Sequence, residues 1–311
     1  MGKAEVTIII VTWNVEDVIS DCLDSLFKYS DKEIQVIVVD NDSSDSTCQI
    51  IKNYENVQLI QTGENLGFSK ANNVALEHAL GDYIFYLNPD TIFLDSIIND
   101  LVNYLESHEN CGIVAPRLLN KDLSLQISYA NFNHPFYLFL EEIGIGRVAP
   151  KKIKSVHFQR SLRLGEKDTC DVDWAIGAAL MLRKEECQRI GGFSEEYFMY
   201  GEDTDLCMKV KKILGKSVVY KGDSSLVHLG GVSESKSFNR NKYTVSMQSA
   251  FIFANKFDKQ NALRLKKSMK NAYMIKSLEF KILYLINHDD KIYYKSDFYK
   301  QLSDIVKGLE I

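Results

Sequence analysis

Residues 81–90 constrain the fold of this chain more than any other stretch. Positions 83–87 are aromatic or aliphatic, and the run ends abruptly in Asn88, Pro89 and Asp90. A buried parallel strand that delivers a carboxylate to the edge of an α/β sheet has this pattern. Pro89 fixes φ and lacks a backbone donor, so the strand must end before it. We expect Asp90 to face the ligand-binding edge of such a sheet; the alternative is that it caps a following helix.

Three earlier apolar runs predict further parallel strands. They cover residues 6–11, 34–40 and 57–61, and apolar residues at helical spacing lie between them. The second run also ends in a carboxylate, that of Asp40. Strands that alternate with helices indicate a doubly wound α/β half, whose parallel strands end at one edge. We therefore expect Asp40 and Asp90 to lie along the same edge.

Length and composition are those of a globular protein with one large domain, alone or with an appendage. The 311 residues are 45 % hydrophobic and 25 % charged, and the net charge of -5 argues against general nucleic-acid binding. No apolar run approaches the roughly 18–20 residues that span a bilayer, and no signal-peptide pattern is seen, so we expect a cytoplasmic protein. Six scattered cysteines without a Cys-x-x-Cys pair predict reduced, buried thiols.

The pattern weakens between residues 117 and 171 and becomes regular again from residue 172. The irregular part contains prolines, glycines and a basic cluster at 151–154, and we interpret it as a long, partly helical and mobile insertion. Residues 172–183 predict a strand that leads into a helix, which the glycines at 191–192 close.

The start of the next predicted helix crowds three carboxylates, those of Glu202, Asp203 and Asp205. The helix dipole favours acidic residues in a first turn, which is one explanation of the cluster. The other is chemical: Asp203 would take a proton from an attacking hydroxyl group. In that case the neighbouring carboxylates should raise the proton affinity of Asp203.

His228 lies in the second of two short predicted strands, at 217–220 and 225–229. Asp90 suits a hard divalent cation that bridges two phosphates, because Mg²⁺ and Mn²⁺ take oxygen ligands. His228 would complete that coordination, although a lone histidine is more often a structural residue. Both interpretations of His228 stay open.

The end of the first strand reads Thr12-Trp13-Asn14, where a dinucleotide oxidoreductase would have Gly-x-Gly-x-x-Gly. A P-loop is also absent. Asp40 and Asn41 suit the hydroxyls of a ribose or the edge of a base. A nucleotide bound at this edge would therefore lack a glycine cradle, and a metal would have to balance the charge of its diphosphate.

After about residue 243 the chain is helical and basic. Lysine and arginine residues alternate with aliphatic and aromatic residues between positions 256 and 285. A solvated helical face and a basic amphipathic surface that rests on anionic lipid both account for this pattern. We expect a catalytic domain over residues 1–255 and a helical, basic extension over residues 256–311.

Seven motifs, taken in order, resemble the family-2 glycosyltransferases of GT-A fold. Within that family the resemblance is greatest to bacterial rhamnosyltransferases, and it runs from about residue 6 to residue 256. The motifs are Thr12-x-Asn14, Val39-Asp40-Asn41-x-Ser43, Asn65-x-Gly67-Phe68, Asn88-Pro89-Asp90, Trp174-x-x-Gly177-Ala178, Gly201-Glu202-Asp203-x-Asp205 and His228.

The resemblance implies an α/β GT-A sheet, mostly parallel, and a nucleotide-sugar donor, either a UDP-sugar or dTDP-rhamnose. It implies that Asp90 and His228 bind Mn²⁺ or Mg²⁺, with Asn88 in the place of the first carboxylate of the family's Asp-x-Asp motif. The residues implied to line the nucleotide-sugar site are Thr12, Asn14, Asp40, Asn41, Ser43, Asn65, Gly67, Phe68, Asn88 and Asp90.

The resemblance also implies an inverting reaction in which Asp203 is the catalytic base and Glu202 supports it. Trp174 and Gly177 are implied to border the acceptor, a lipid-linked glycan or a polysaccharide. The Gln-x-x-Arg-Trp motif of processive synthases is missing, which favours the addition of a single sugar.

Two other functions stay open on the sequence. One is a catalytically silent scaffold that binds a nucleotide sugar or a glycan in a polysaccharide assembly complex, and the other is a nucleotidyltransferase. The joint presence of Asp90, Asp203 and His228 argues against the scaffold. A peripheral contact with the inner face of the cell membrane and a homodimer through the C-terminal helices also stay open.

Overall fold

The computed structural model describes residues 4–132, 135–145, 168–230 and 240–310. These residues belong to two compact units. The first unit is Met1–Ala130 with Leu164–Ser237, and the second is Asn131–Arg163 with Phe238–Ile311. The part of the predicted mobile insertion from 146 to 167, including the basic cluster at 151–154, lies outside the described residues.

The first unit begins with alternating strands and helices. They are β1 (Val6–Thr12), α1 (Ile19–Tyr29), β2 (Ile34–Asp40), α2 (Thr47–Ile51), β3 (Val57–Gln61), α3 (Phe68–Glu77) and β4 (Tyr83–Leu87). β2 and β4 both pair with β1 in parallel, and β3 pairs with β2 in parallel. All of β1 is buried, as expected of a central strand that is covered on both faces. The predicted doubly wound half is therefore present.

The unit continues with shorter elements that complete the sheet. They are β5 (Thr91–Phe93), α4 (Ile98–Ser107), β6 (Cys111–Leu119), β7 (Tyr129–Ala130), β8 (Cys170–Val172), β9 (Trp174–Ala175), β10 (Ala179–Arg183), α6 (Lys184–Arg189), α7 (Glu202–Lys209), a π-helical turn (Val210–Leu214) and β11 (Ser217–His228). The strand order is β3-β2-β1-β4-β10-β6-β11-β5, with β8 also on β11. β10 runs antiparallel to β4 and β6, whereas β6 and β11 are parallel.

The prediction of two short strands near His228 was wrong, because β11 is one strand from Ser217 to His228. It follows β6 along its length, and its register shifts between Lys221 and Ser225. The shift is a local irregularity of the kind that a β-bulge produces. The polar residues at this shift interrupt the apolar pattern, which is why the sequence predicted two strands.

Alternate residues of β1 enter two apolar clusters, one on each face of the sheet. Ile8 and Ile10 pack with Leu23 of α1 and Leu101 of α4. Ile9 belongs to the opposite cluster, which contains residues of α3 and α7. This alternation is the period of two that a strand imposes on its side chains. It holds the strand ends, and the side chains that follow them, in fixed positions.

The six cysteines are unpaired, and five of them are buried, with Cys170 half-buried. Burial raises the pKa of the Cys22, Cys111 and Cys207 thiols to about 12. These thiols are therefore protonated and inert at neutral pH. The prediction of buried thiols is confirmed for five of the six cysteines, and none of the six forms a disulfide.

The second unit is helical. It contains α5 (Pro135–Glu142), α8 (Arg240–Phe257), α9 (Lys259–Asn287) and α10 (Asp290–Gly308). Asp258 and Asp289 cap α9 and α10, since each carboxylate accepts a hydrogen bond from a backbone N–H of the first turn. α8 continues through residue 255, where the sequence analysis ended the catalytic domain. That domain boundary stays a prediction.

An ion pair links α5 to α9 inside the second unit. Lys276 Nζ lies 3.2 Å from Glu142 Oε1 and 3.1 Å from the Tyr299 hydroxyl oxygen. Burial by itself would lower the pKa of Lys276, but Glu142 and Tyr299 raise it above its ordinary value. Lys276 therefore stays charged at neutral pH and balances the charge of Glu142.

Replacing Lys276 with methionine should lower the free energy of unfolding by about 2 kcal/mol. The expected loss is below the 3–5 kcal/mol of a fully buried pair, because both side chains keep some contact with water. Urea unfolding followed by circular dichroism measures it. Lys281→Met, at an exposed position of the same helix, is the matched control and should change the stability by less than about 0.5 kcal/mol. Equal losses in the two variants would contradict a role for the ion pair.

Candidate active site

Strand pairing brings the two predicted metal ligands together. Thr91 of β5 pairs with His228 of β11 in antiparallel register. His228 Nε2 consequently lies 3.3 Å from Asp90 Oδ1 and 3.3 Å from Asn88 Nδ2. The Gly230 N–H donates to Asp90 Oδ2 at 3.1 Å. Asp90 precedes a strand, so the alternative that it caps a helix was wrong.

The donor atoms at Asp90 and His228 fit a divalent cation. A carboxylate oxygen and an imidazole nitrogen face each other, and both are ligands that Mn²⁺ and Mg²⁺ accept. Across the described ranges, no set of three or more His, Cys, Asp and Glu side chains could hold a metal ion. Further ligands would have to be water or substrate oxygens, as is usual for Mg²⁺ that binds with phosphates.

Asp203 lies in the first turn of α7, and this helix begins directly after two residues in the left-handed region. These are Tyr200, with φ of 68°, and Gly201, with φ of 94°. The Gly177 N–H donates to Asp203 Oδ2 at 3.1 Å, and the Thr204 N–H donates to Oδ1 at 2.7 Å. A Cβ atom at position 177 would lie 3.2 Å from Asp203 Cβ. The glycine therefore permits the close approach that this hydrogen bond needs.

The neighbouring Glu202 has a different environment. Its side chain is 8 % exposed, and within the described part of the chain Oε2 has no hydrogen-bond partner. Burial, together with the charge of Asp203, raises the pKa of Glu202 to about 8. Burial also raises the pKa of Asp203, but hydrogen bonds from Gly177 and Thr204 oppose the rise. At pH 7 Glu202 therefore keeps its proton, and the hydrogen bonds from Gly177 and Thr204 favour the charged form of Asp203.

The pKa of Asp203 is raised, as the sequence predicts, but burial is the chief cause. Asp205 contributes to a different network, because its carboxylate accepts hydrogen bonds from Ser194 Oγ and the Tyr197 hydroxyl group. Asp205 thus anchors the segment that precedes α7.

The loops after β1 and β2 are joined through Asp40. The Thr12 hydroxyl donates to Asp40 Oδ1 at 3.0 Å, and Ser43 donates its N–H to Oδ2 at 2.9 Å and its hydroxyl to Oδ1 at 2.6 Å. Asn14, with φ of 52°, donates its N–H to Ser43 Oγ at 2.8 Å. Asp40 is 1 % exposed, so its buried carboxylate holds these two loops together through hydrogen bonds.

The loop before α3 is built around Asn41. Its Nδ2 donates to the Gly67 carbonyl oxygen at 3.1 Å, and the Gly67 N–H donates to Asn65 Oδ1 at 3.0 Å. A Cβ atom on Gly67, whose φ is 81°, would lie 2.7 Å from the Phe198 carbonyl oxygen. Phe68 donates its N–H to that same oxygen at 3.0 Å. Glycine at position 67 is therefore required by both backbone angle and space.

The predicted site residues fall into three groups within the first unit. Thr12, Asn14, Asp40, Asn41, Ser43, Asn65, Gly67 and Phe68 form the loops around β1, β2 and α3. Asn88, Asp90 and His228 form the second group, and Trp174, Gly177, Glu202 and Asp203 form the third. The second and third groups are joined where the Asn88 N–H donates to the Ala178 carbonyl oxygen at 2.9 Å. Trp174 is half-buried in β9 and pairs with Ala130 of β7.

The sequence analysis missed two residues of this region. Gln126 Oε1 lies 2.7 Å from His228 Nδ1, and no motif or periodicity marks that residue. Trp13 is 48 % exposed directly after β1, and it stands at the unassigned position of the Thr12-x-Asn14 motif. An exposed aromatic ring next to a strand end was the available signal for Trp13.

Comparison with protein families decides what kind of protein this is. Residues 7–164 match the model described as "Glycosyl transferase family 2", and residues 170–228 match one described as "N-terminal domain of galactosyltransferase". The chain belongs to glycosyltransferase family 2. The predicted enzyme class is thereby confirmed.

This glycosyltransferase is similar to known bacterial rhamnosyltransferases. It is 30 % identical over 215 residues to "Rhamnosyltransferase WbbL" of Escherichia coli K12, which covers 66 % of this chain and 76 % of that protein. It is 27 % identical over 233 residues to "N-acetylglucosaminyl-diphospho-decaprenol L-rhamnosyltransferase" of Mycobacterium tuberculosis. This match covers 71 % of this chain and 75 % of that protein. The predicted likeness to rhamnosyltransferases is confirmed.

Solved structures confirm the GT-A fold and its helical C-terminal region. GalNAc-T7 with UDP, GalNAc and Mn²⁺ superposes with a TM-score of 0.60 at 13 % identity, over 97 % of this glycosyltransferase and 55 % of that chain. The chain thus spans about half the length of GalNAc-T7. The mannosyltransferase PcManGT from Pyrobaculum calidifontis, with GDP-Man and Mn²⁺, superposes with a TM-score of 0.54 at 17 % identity. The superposition covers 97 % of this glycosyltransferase and 86 % of that chain.

The pair Glu202 and Asp203 predicts how stability depends on pH. The pKa of Glu202 is about 8 in the folded protein against an ordinary 4.5, so its contribution is fully present below pH 4.5 and is lost as the pH rises through 8. Glu202→Gln cannot ionise and escapes that loss. The melting temperature of the variant relative to wild type should therefore rise between pH 5 and pH 9.

Thermal unfolding at several pH values tests this dependence. The exposed Glu185→Gln variant in α6 is the matched control, and its melting temperature should run parallel to that of wild type. A difference between Glu202→Gln and wild type that stays constant with pH would show that Glu202 does not titrate in this range.

Proposed function

We propose that this glycosyltransferase moves one sugar, with inversion, from a nucleotide sugar to a lipid-linked glycan or a polysaccharide. One observation carries the proposal: the hydrogen bond from the Asn88 N–H to the Ala178 carbonyl oxygen joins a candidate metal site to a desolvated carboxylate. On one side Asn88 contacts His228 next to Asp90. On the other side the residue before Ala178 holds Asp203.

In this mechanism Asp203 acts as the general base. Its ionised carboxylate accepts the proton of the acceptor hydroxyl while that oxygen forms a bond to the anomeric carbon of the donor. The bond from that carbon to the diphosphate oxygen breaks on the opposite face, so the configuration inverts and a nucleoside diphosphate leaves. Glu202 keeps its proton, which spares the site a second buried negative charge beside Asp203.

Asp90 and His228 would hold a divalent cation, Mn²⁺ or Mg²⁺, whose charge offsets that of the leaving diphosphate. Two facts support this role. The donor atoms suit such an ion, and both structural relatives named above were solved with Mn²⁺. Asn88, which replaces a carboxylate of the family motif, contacts His228 Nε2 through its amide nitrogen and so helps to orient the imidazole ring.

We propose dTDP-rhamnose as the first donor to test, because two of the relatives are rhamnosyltransferases. A UDP-hexose is the second. The nucleotide would lie over the loops that Thr12, Asn14 and Ser43 form after β1 and β2. Asp40 and Asn41 are buried, so they support these loops, while the exposed ring of Trp13 is available to stack on a base.

Asp203→Asn should abolish transfer and leave nucleotide binding intact, because the amide cannot accept a proton but occupies the same space. We expect the rate of nucleoside diphosphate release, measured with dTDP-rhamnose or UDP-sugars and a polyprenol diphosphate-linked acceptor, to fall by about a thousandfold. Binding of dTDP or UDP, measured by calorimetry, should change little.

Asp223→Asn on β11 is the control for that variant, because the Asp223 side chain is 58 % exposed and pairs with Lys221 at the surface. It should keep wild-type activity. Near-normal turnover of Asp203→Asn would remove Asp203 from the mechanism. Donor binding without release by the wild-type enzyme, even with a lipid-linked acceptor present, would instead support the silent scaffold.

We also propose that α9 rests on an anionic membrane surface. An apolar strip runs along its C-terminal half and is exposed to solvent; it consists of Met274, Ile275, Leu278, Ile282, Leu285 and Ile286. The whole helix carries seven basic residues and one acidic residue, although the complete chain has a net charge of -5. Five of the basic residues precede the strip and Lys281 lies within it, whereas Lys276 is paired with Glu142. An exposed apolar strip next to basic side chains is typical of helices that lie in a lipid interface.

A second copy of this helix is a poorer partner, because it offers the basic residues of α9 little opposite charge, whereas anionic lipid does. Through residues 4–132, 135–145, 168–230 and 240–310, no helix combines the length and apolar character that a membrane crossing requires. The contact that we propose is therefore interfacial, and it would bring the enzyme to lipid-linked acceptors.

Flotation with vesicles tests the lipid contact. Wild type should float with vesicles that contain phosphatidylglycerol and stay behind with pure phosphatidylcholine. The double variant Leu278→Gln and Ile282→Gln should lower the partition coefficient at least tenfold, because each side chain contributes roughly 1.5 kcal/mol when buried. The control exchanges two equally exposed leucines of the first unit, Leu80→Gln and Leu123→Gln. Wild-type dimers that the strip variant loses, without vesicle binding, would assign the strip to a second copy.

A further inference from the structure

We propose that Gln126 is a positioning residue of the metal site: it holds His228 in the tautomer whose Nε2 carries the lone pair that would bind a cation. This inference rests on the proposed role of Asp90 and His228, and it adds a residue that the motifs do not include. Gln126 lies in the segment between β6 and β7, half-buried, and its N–H donates to the Leu118 carbonyl oxygen at 2.9 Å.

The orientation of the Gln126 amide follows from its neighbours. Nε2 lies 3.0 Å from the carbonyl oxygen of His228 and 3.1 Å from Oδ1 of Asn120. A backbone carbonyl oxygen can only accept a hydrogen bond, so the nitrogen of the amide must face it. The Gln126 oxygen, Oε1, then has to be the atom that lies 2.7 Å from His228 Nδ1.

Asn120 is fixed by the same reasoning. Its Nδ2 lies 3.4 Å from the Leu125 carbonyl oxygen and 2.9 Å from Ser124 Oγ. The carbonyl again requires a donor, so Asn120 turns its Oδ1 toward Gln126. Both hydrogens of the Gln126 amide are therefore used, and neither amide can flip without losing hydrogen bonds to backbone oxygens.

The orientation of the Gln126 amide determines the tautomer of His228. Oε1 of Gln126 is only an acceptor, so His228 Nδ1 must carry the proton that it accepts. In the neutral ring Nε2 then carries an unprotonated lone pair, which lies 3.3 Å from Asp90 Oδ1 and 3.3 Å from the Asn88 amide nitrogen, a donor. A cation that binds this lone pair would replace the contact with Asn88 and offset the repulsion between Nε2 and Asp90 Oδ1. Gln126 thus prepares the site in the way that the outer hydrogen-bond partners of metal-bound histidines do.

The first test reads the tautomer directly in the metal-free protein. Long-range ¹H–¹⁵N correlation spectra at pH about 8, where free imidazole is neutral, distinguish Nδ1–H from Nε2–H rings, and a His228→Asn variant assigns the signals. Wild type should show the Nδ1–H form of His228. Gln126→Leu, which has no acceptor, should move the ring toward the Nε2–H form.

The second test measures Mn²⁺ binding by electron paramagnetic resonance, with UDP or dTDP present to supply the remaining ligands. Gln126→Leu should weaken binding by about 10- to 100-fold. Gln126→Glu keeps an acceptor for Nδ1–H but loses the donor to the His228 and Asn120 oxygens, so it should recover only part of the affinity. Gln58→Leu, at an exposed position of β3, is the control and should bind like wild type. Circular dichroism verifies that each variant is folded.

An Nε2–H ring in wild type, or a ring that Gln126→Leu leaves unchanged, would overturn the inference. Mn²⁺ binding by Gln126→Leu that equals wild type would also overturn it. If wild type itself binds no Mn²⁺, the proposed metal dependence fails, and the spectra of the metal-free protein still decide whether Gln126 positions His228.

Discussion

The antiparallel pairing of β5 with β11 is the constraint on which the candidate site depends. β5 follows Asp90 directly, and β11 ends at His228, so this pairing sets the two side chains 3.3 Å apart. β11 also runs beside β6, and the segment between β6 and β7 carries Gln126. One strand therefore gathers residues from three separate parts of the chain. The parallel half of the sheet supplies the rigid support for this arrangement, with both faces buried.

The second physical feature of the site is that two adjacent carboxyl groups, Glu202 and Asp203, have different environments. Glu202 is buried and, among the described residues, its Oε2 lacks a hydrogen-bond partner, so it favours its neutral form. Asp203 receives hydrogen bonds from Gly177 and Thr204, which stabilise its charge. The left-handed residues before α7 position the pair at some conformational cost, which is common at functional sites. This arrangement is the basis of our proposal that Asp203 abstracts the proton of the acceptor hydroxyl.

Much of the fold was predictable because its central strands are continuous apolar runs that end in turns. β2 and β3 have the predicted bounds, and the Asn88–Asp90 turn follows β4 as Pro89 requires. The antiparallel placement of β10 and the continuity of β11 could not be predicted, because local patterns carry no information on pairing direction or on an irregular register. Gln126 acts on His228 through a contact across 102 positions, which neither spacing nor composition reveals.

The central proposal is that Asp90 and His228 hold a divalent cation at the carboxyl edge of the sheet. Anomalous diffraction from crystals grown with Mn²⁺ and UDP or dTDP tests it most directly. We predict one manganese peak within about 2.5 Å of both Asp90 Oδ1 and His228 Nε2, in contact with the diphosphate. A manganese ion that binds the diphosphate while Asp90 and His228 keep only their present hydrogen bonds would contradict the account.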